Sequence, residues 1–174
     1  MDWSVRRPVP ARSVGDTLFT VGIEASDMSG EPVGLEPVDE SDLPYVETLL
    51  AENDLPCRDV RSKRDSFSVA VCGDERVGVG GVEVYGTDGL LRSIVVERSA
   101  RDDGVGTAFC AALERRASTA GVDALYLLTT TAAGFFARQG YDEIERADAP
   151  GAIRETAQFS DLCPATATCM RKSV

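Results

Sequence analysis

The stretch Arg101-Asp102-Asp103-Gly104-Val105-Gly106 joins a predicted strand, Leu90–Glu97, to a predicted amphipathic helix, Thr107–Ala120. Its two glycines allow the backbone to approach a ligand closely. The helix that follows directs its free N–H groups and the positive end of its dipole back toward the loop. The pattern therefore predicts a pyrophosphate-binding loop, and the alternative is an ordinary tight turn between a strand and a helix.

Two known nucleotide-binding patterns do not fit this loop. A P-loop requires Gly-Lys followed by Ser or Thr, which is absent. A dinucleotide fingerprint requires a third glycine or an alanine where Phe109 stands. The preceding strand also closes an antiparallel meander instead of opening a βαβ unit.

The elements around the loop predict an α/β (α+β) fold with a mixed central sheet flanked by helices. Ser41 is the expected N-cap of the first helix, and Thr130 or Thr131 that of the third. The remaining elements are strands Val33–Pro37, Ser66–Cys72, Val77–Tyr85, Ala124–Leu128, Tyr141–Arg146 and Thr166–Lys172, with a helical turn near Ala152–Thr156. Residues 1–33 differ from the rest and are predicted to be an N-terminal extension that holds one short apolar run, Thr17–Ile23.

Length and charge exclude several classes of protein. The 174 residues suit one domain, and 43% hydrophobic with 27% charged residues is typical of a soluble globular chain. A net charge of -11 disfavours nucleic acids and anionic membranes. Since neither a signal peptide nor a membrane-spanning apolar run is recognisable, we expect a cytoplasmic protein with reduced thiols.

The basic residues are almost all arginines, because Lys63 and Lys172 are the two lysines among 18 basic side chains. An acidic, lysine-poor surface suggests a halophilic protein, since concentrated salt screens the repulsion between carboxylates. The alternative is ordinary acidic drift in a GC-rich genome.

The chain contains no histidine, which excludes Ser-His-Asp and Cys-His triads and zinc sites with imidazole ligands. Its five cysteines form no Cys-x-x-Cys pair, so no metal site is predicted. Any proton transfer must use a carboxylate, a thiol, a phenol, an amine, the backbone or water.

Two motifs at a suitable separation resemble the GNAT N-acetyltransferase superfamily. They are Arg-x-x-Gly-x-Gly at Arg101–Gly106 and the stretch Ala132-Ala133-Gly134-Phe135-Phe136-Ala137-Arg138-Gln139-Gly140-Tyr141. The resemblance covers residues 34–172 and implies a GNAT domain over 34–174. Further pieces resemble the branch associated with arsenic resistance, namely Leu90-Leu91-Arg92-Ser93, the stretch Leu125–Ala132, Leu55-Pro56-Cys57 and the tail Gln158–Met170.

The resemblance implies a sheet splayed between strands 4 and 5, with acetyl-CoA inserted there. The pantetheine would pair with the main chain of Ile94, Val95 and Val96, as in strand addition. The pyrophosphate would lie on the loop and helix start, and an aromatic side chain would line the acyl channel. The implied cofactor residues are Arg101, Asp102, Asp103, Gly104, Val105, Gly106, Thr107 and Phe136.

The catalytic groups common in this family are missing. Phe136 stands where many relatives have a tyrosine acid, and Leu90 stands near the place of a glutamate base. Three alternatives remain open: Glu83 as a base through water, the thiol of Cys163 or Cys57 as acid or base, or positioning alone. For Glu83 a solvent-facing surface carboxylate is the competing interpretation. Ser93 is a further candidate that faces the substrate.

Two loop cysteines and two arginines are the candidate residues for binding the acceptor substrate. Cys57 and Cys163 flank the expected substrate mouth and could position a substrate or bind a soft metalloid. Arg92 and Arg154 could receive a substrate carboxylate bidentately, or could be plain surface charges. The resulting prediction is an acetyl-CoA-dependent N-acetyltransferase for a small amine or amino-acid-like, possibly arsenic-related, substrate.

The alternative is an acyl-CoA-binding or cysteine-based metalloid-binding module without transferase activity. A homodimer through the final strands is also expected from the resemblance.

Overall fold

The structure, a computed structural model, describes residues 32–174. The short apolar run Thr17–Ile23, and nearly all of the predicted N-terminal extension 1–33, lie outside the described residues.

Within residues 32–174, seven strands form one sheet. The strands are β1 Gly34–Pro37, β2 Phe67–Cys72, β3 Glu75–Tyr85, β4 Asp88–Val96, β5 Ala124–Thr129, β6 Asp142–Ile144 and β7 Thr168–Ser173. Their order across the sheet is β1-β2-β3-β4-β5-β7-β6. The β4–β5 pair is parallel and the other pairs are antiparallel, so the predicted mixed sheet is confirmed.

Helices cover both faces of this sheet. They are α1 Leu43–Glu52, α2 Val105–Thr119, α3 Ala133–Arg138 and α4 Gly151–Arg154, followed by a π-helical turn at Gln158–Leu162. Successive residues of β2 point to opposite faces. Val69 accordingly joins the core cluster beneath α1, and Ala70 joins the cluster beneath α2. None of the helices in the described part of the chain is long and apolar enough to cross a membrane.

The sheet splays between β4 and β5. The two strands pair at Asp88, Gly89 and Leu90, opposite residues 124–126. Beyond that point the segment Leu91–Val96 has no strand on its β5 side in the part of the chain that the structure describes. The predicted splay is thereby confirmed, and it leaves one edge of β4 open within the sheet.

A β-bulge bends β4 at the same place. The register with β3 runs Val79 with Val95 and then Gly81 with Arg92, so that one residue of β3 faces two of β4. Ser93, in the bulge, has a φ of +56°, a left-handed conformation that is uncommon for residues other than glycine. The sequence predicted a regular strand here, because β-branched residues surround the bulge and the signal for it is confined to backbone geometry.

Two predicted helix starts were wrong. The N-cap of α1 is Asp42, while the N–H and Oγ of Ser41 donate to Asp39 Oδ1. Helix α3 begins after Ala132, whose N–H donates to Thr129 Oγ1, so the hydroxyl comes from a residue before Thr130 and Thr131. In both cases several neighbouring polar residues could have acted as the N-cap, and the path of the backbone determines which of them does.

Helix α2 begins at Val105, two residues before the predicted start at Thr107. Gly104 has a φ of +76°, which lets the chain turn directly from the loop into the helix. As a result Gly106 belongs to the first helical turn, and the helix N-terminus lies closer to the splayed strands than the sequence suggested.

Candidate active site

A cleft of about 690 Å³ opens where β4 and β5 part. This volume is within the range of roughly 300–1,000 Å³ that is usual for small-molecule sites. Its walls come from the open edge of β4, the end of β5, the loop before α2, the start of α3 and the turn before β7. The residues that line it include Arg92, Ser93, Ile94, Val95, Val96, Arg101, Asp102, Gly104, Gly106, Thr107, Phe136, Gln158 and Cys163.

The open edge of β4 provides main-chain groups on one wall of the cleft. Ile94, Val95 and Val96 all line it, while their predicted role in binding the cofactor stays a prediction. The Val96 carbonyl accepts a hydrogen bond of 3.0 Å from Arg101 Nε. Because this stretch has no strand on its β5 side among the described residues, it can accept an extended ligand in the manner of strand addition.

The N-terminus of α2 provides the opposite polar end. Asp102 and Gly104 both have positive φ, and among the described residues no side chain caps the helix. A Cβ built at Gly106 would lie 3.5 Å from the Phe135 ring and 3.7 Å from Val96 Cγ2, so bare backbone faces the cleft at this residue. Uncapped N–H groups at a helix start are suited to an anion such as a pyrophosphate.

Two of the predicted loop residues do not line the cleft. Val105 is buried in the core beneath α2, and Asp103, although half-buried, is absent from the cleft wall. Asp102 does line it, with an exposed side chain. The carboxylate of Asp102 therefore adds negative charge next to the amides that an anion would use.

Arg101 links the loop to α1. Its guanidinium NH2 group donates to Asn53 Oδ1 at 2.6 Å, in addition to the bond from Nε to the Val96 carbonyl. Asn53 follows directly after α1 and also lines the cleft. The sequence did not single out Asn53, because it lies 48 residues from Arg101 and carries no motif.

Phe136 lies in an aromatic group at the base of α3. Its ring centroid is 5.1 Å from that of Phe135 and 5.5 Å from that of Tyr141, both in edge-to-face geometry. Tyr141 is buried in the core, and burial raises the pKa of its phenol far above the ordinary value. Tyr141 is absent from the cleft wall, so it does not replace the missing hydroxyl at Phe136.

A buried ion-pair network lies beside the cleft. Arg92 NH1 is 2.5 Å from Asp59 Oδ2 and 2.7 Å from Glu83 Oε1, and its NH2 is 2.8 Å from Asp59 Oδ1. Lys63 Nζ is 3.2 Å from Glu83 Oε2, and Tyr85 donates its hydroxyl to the same oxygen. The guanidinium of Arg92 is thus occupied by two carboxylates of this chain. Asp59 was not identified from the sequence, because its loop has no periodic pattern.

The solvent-facing interpretation of Glu83 was wrong, since the residue is 4% exposed. It also does not line the cleft, and Arg92 contacts it from the cleft side. Burial alone would raise the pKa of Glu83, but hydrogen bonds from Tyr85 and Arg92 outweigh burial and lower it. A carboxylate held in its ionised form by such partners is a weak base, so the role of Glu83 in proton transfer remains a prediction.

Cys163 and Gln158 form a pair on the acceptor side of the cleft. Gln158 Nε2 donates to Cys163 Sγ at 2.9 Å, and both residues line the cleft. Burial raises the pKa of the Cys163 thiol, so the thiol is protonated at neutral pH. Gln158 belongs to the tail that resembles the arsenic-resistance branch, but the sequence alone gave no reason to single it out.

Three other predicted site residues have different surroundings. Cys57 packs half-buried against the cluster beneath α1, and Arg154 is exposed on α4; neither lines the cleft. Ser93 does line it, and its Oγ accepts a 3.4 Å hydrogen bond from Arg92 Nε. Across residues 32–174, no group of three or more Cys, Asp and Glu side chains is arranged to hold a metal ion.

Comparison with known proteins agrees with this geometry. Residues 63–143, just under half of the chain, match the family model described as "Acetyltransferase (GNAT) domain". No curated protein matches the chain.

Three solved structures illustrate the shared fold. N-acetylglutamate synthase from Neisseria gonorrhoeae, complexed with coenzyme A and N-acetyl-glutamate, has a TM-score of 0.69 at 18% identity over 81% of this chain and 35% of its own. Rv2747 from Mycobacterium tuberculosis, in complex with CoA and NLQ, has a TM-score of 0.68 at 22% identity over 81% and 99%. GCN5 from Tetrahymena has a TM-score of 0.63 at 12% identity over 83% and 96%.

The splayed sheet is the fold that these solved structures share, and residues 63–143 match the model of a GNAT acetyltransferase domain. The chain spans about a third of the length of the Neisseria synthase.

Proposed function

We propose that this protein is an acetyl-CoA-dependent N-acetyltransferase, with a domain extending over residues 34–174, that acetylates a small amine or amino-acid-like substrate by direct transfer. One observation carries this proposal. The open edge of β4 and the uncapped N-terminus of α2 face the same cleft, and together they fit the two polar parts of an acyl-CoA.

The chain's own residues fit acetyl-CoA in three ways. The main chain of Ile94 to Val96 can pair with the pantetheine amides. The amides of Gly106 and Thr107, with Gly104 allowing the turn, can hold the pyrophosphate. Acetyl-CoA supplies a thioester whose carbonyl carbon an amine can attack, forming a C–N bond while the C–S bond breaks. Coenzyme A is present in two of the similar structures named above.

The acceptor end of the cleft supports an amine substrate of modest size. Arg92, Gln158 and Cys163 lie there, and the network around Arg92 balances its charge. The Neisseria structure contains an acetylated amino acid. This supports an amino-acid-like acceptor. The resemblance of the tail Gln158–Met170 to the arsenic-resistance branch favours, more specifically, an arsenic-containing analogue of an amino acid.

The proposal is tested by incubating the protein with acetyl-CoA and a panel of small amines and amino acids while following CoA release. Amine-dependent release is expected. Tight binding of acetyl-CoA without turnover of any amine would favour a binding module that lacks transferase activity. Arsenite binding that is lost in Cys57→Ser and Cys163→Ser would favour a metalloid role, which requires those two thiols to act together.

Cys163 is the proposed proton donor to the departing thiolate of CoA, since no hydroxyl is available at Phe136. Its thiol is protonated at neutral pH and lines the cleft. The proton would return to it, through water, from the nitrogen that has been acylated, so the cycle consumes none. General acid catalysis of this kind contributes roughly 10²–10⁴-fold. Cys163→Ala should therefore lower kcat by at least about tenfold, with little change in the KM for acetyl-CoA.

Steady-state kinetics of the purified Cys163→Ala variant checks this expectation. Cys110→Ala is a control thiol change in the core, where burial raises the pKa to about 12 and the side chain does not line the cleft. Wild-type kcat in Cys163→Ala would show that positioning alone suffices and that the thiol moves no proton.

The proposed halophilic character predicts a dependence on salt. Asp102 lies next to the amides at the start of α2, and the net charge is -11. Screening weakens both the local repulsion of a pyrophosphate and the repulsion across the surface. Raising KCl from dilute buffer to molar concentration should therefore raise the unfolding midpoint and lower the KM for acetyl-CoA. Full stability in dilute buffer would contradict the halophilic hypothesis.

The proposed homodimer through the final strands is checked by light scattering coupled to size-exclusion chromatography. A mass of one chain at micromolar concentration would overturn it.

A further inference from the structure

We propose that Gln158 is the residue that selects the acceptor, with its side-chain oxygen receiving an N–H of a primary amine. This inference rests on the proposed acetyltransferase function and goes beyond it by naming the group that recognises the nucleophile. The carrying observation is a buried polar atom without a partner. Gln158 is 5% exposed and lines the cleft, and among residues 32–174 its Oε1 has no hydrogen-bond partner.

The amide nitrogen of Gln158 faces Cys163 in the structure. Nε2 donates to Cys163 Sγ at 2.9 Å, which leaves Oε1 as the free acceptor. A buried acceptor without a donor costs free energy, and a ligand that brings the donor recovers it. Glutamine has two donor hydrogens and an acceptor oxygen, so one hydrogen can be used by Cys163 while the oxygen serves the substrate.

The surrounding charges favour a neutral N–H donor over an anion at this oxygen. Arg92 also lines the cleft, but Asp59 and Glu83 accept hydrogen bonds from its guanidinium and balance its charge. A carboxylate placed at this position would face the amide oxygen of Gln158, and the Arg92 guanidinium is already paired with Asp59 and Glu83. An amine at the same position would face Gln158 Oε1, which lacks a donor among the described residues.

The geometry of an amine nitrogen gives this contact a consequence for specificity. A neutral primary amine has two N–H bonds and one lone pair. One N–H can donate to Gln158 Oε1 while the lone pair stays free to attack the thioester carbon, and the other N–H remains to be lost as the amide forms. A secondary amine has one N–H, which would be both the anchor and the leaving proton. The site should therefore prefer primary amines to their N-methyl derivatives.

The test uses the full chain and an acceptor amine found by the CoA-release assay. Gln158→Met keeps the length of the side chain and removes the acceptor, and it should raise the KM for the amine about tenfold. The KM for acetyl-CoA should stay within about twofold of wild type. The ratio of kcat/KM for the primary amine to that for its N-methyl derivative should fall toward one. A purely structural role of Gln158 would move both KM values together and leave this ratio unchanged.

Gln158→Glu provides the conservative comparison. A buried carboxyl group tends to be neutral, and a neutral carboxyl offers one acceptor and one O–H donor, as the amide does here. At pH 6 this variant should keep the KM for the amine within about threefold of wild type. An unchanged amine KM and an unchanged primary-to-secondary ratio in Gln158→Met would overturn the proposal while leaving the acetyltransferase function intact. Absence of turnover in the wild-type protein with every amine would overturn both.

Discussion

Gly106→Leu should abolish most of the affinity for acetyl-CoA while leaving the fold intact. The Cβ of residue 106 would lie 3.5 Å from the Phe135 ring and 3.7 Å from Val96 Cγ2, so a branched side chain would extend into the cleft beside the α2 N-terminus. The open cleft can hold this side chain in the free protein, but the ligand would need that same space, and crowding of this kind should cost binding about 1–3 kcal/mol. We expect the Kd for acetyl-CoA to rise at least about tenfold by isothermal titration calorimetry.

The loss of acetyl-CoA affinity in Gly106→Leu should not result from misfolding, because leucine has a higher helix propensity than glycine. Gly106 lies in the first turn of α2, and replacing glycine by leucine in a helix is favourable by up to about 1 kcal/mol. The unfolding midpoint should therefore stay near that of wild type. Gly151→Leu is the matched control, because Gly151 is an exposed first residue of α4 and no described atom lies within 4 Å of its built Cβ. Wild-type affinity in Gly106→Leu would show that the ligand does not use this end of α2.

Arg92→Leu should be the most destabilising single change in the site. The Arg92 side chain is 1% exposed and is the shared partner of Asp59 and Glu83. Removing one member of a buried ion pair leaves uncompensated charge and costs about 3–5 kcal/mol. Urea unfolding at pH 7 should show a loss of that size. Lys63→Met is the matched control, since Lys63 also pairs with Glu83 but is 43% exposed, and it should cost less than about 1 kcal/mol.

The loss of stability in Arg92→Leu should depend on pH. In wild type the pKa of Glu83 lies below its ordinary value of 4.5, so the pairing stabilises the fold above that pH and is lost as the pH falls through the lowered pKa. In Arg92→Leu burial acts without the guanidinium, which raises the pKa of Glu83 relative to wild type. As the pH falls, Glu83 is therefore protonated at a higher pH in the variant than in wild type. The difference in unfolding free energy between wild type and the variant should narrow from pH 7 toward pH 4.5. If this difference in unfolding free energy did not depend on pH, lost packing and not charge would be the cause of the destabilisation.

The sequence predicted most of the architecture because the informative signals were local. The periodicity of α2, with Phe109 and Leu113 inward, and the meander of three strands were both confirmed. The Arg101–Gly106 stretch follows β4 as predicted, although its last two residues, Val105 and Gly106, belong to the first turn of α2. Helix starts at Ser41 and Thr130 or Thr131 were wrong, because several adjacent polar residues satisfy the same local rule.

The parts that the sequence could not predict depend on contacts between distant residues. Asp59 meets Arg92 across 33 positions, and their pairing converts a candidate substrate ligand into part of a buried network. The burial of Glu83 between two valines runs against the alternation expected of a surface strand, because ionic partners replace the solvent. Gln158 is a candidate because its side-chain oxygen is buried and has no hydrogen-bond partner among residues 32–174.

The measurement that tests the central claim most directly is calorimetric titration of the wild-type protein with acetyl-CoA, followed by the CoA-release assay on the same sample. The splayed β4 edge and the α2 N-terminus predict saturable binding of one acetyl-CoA per chain and amine-dependent release of CoA, both weakened in Gly106→Leu. Failure to bind acetyl-CoA, in dilute buffer and in molar KCl alike, would contradict the assignment of this cleft as an acyl-CoA site.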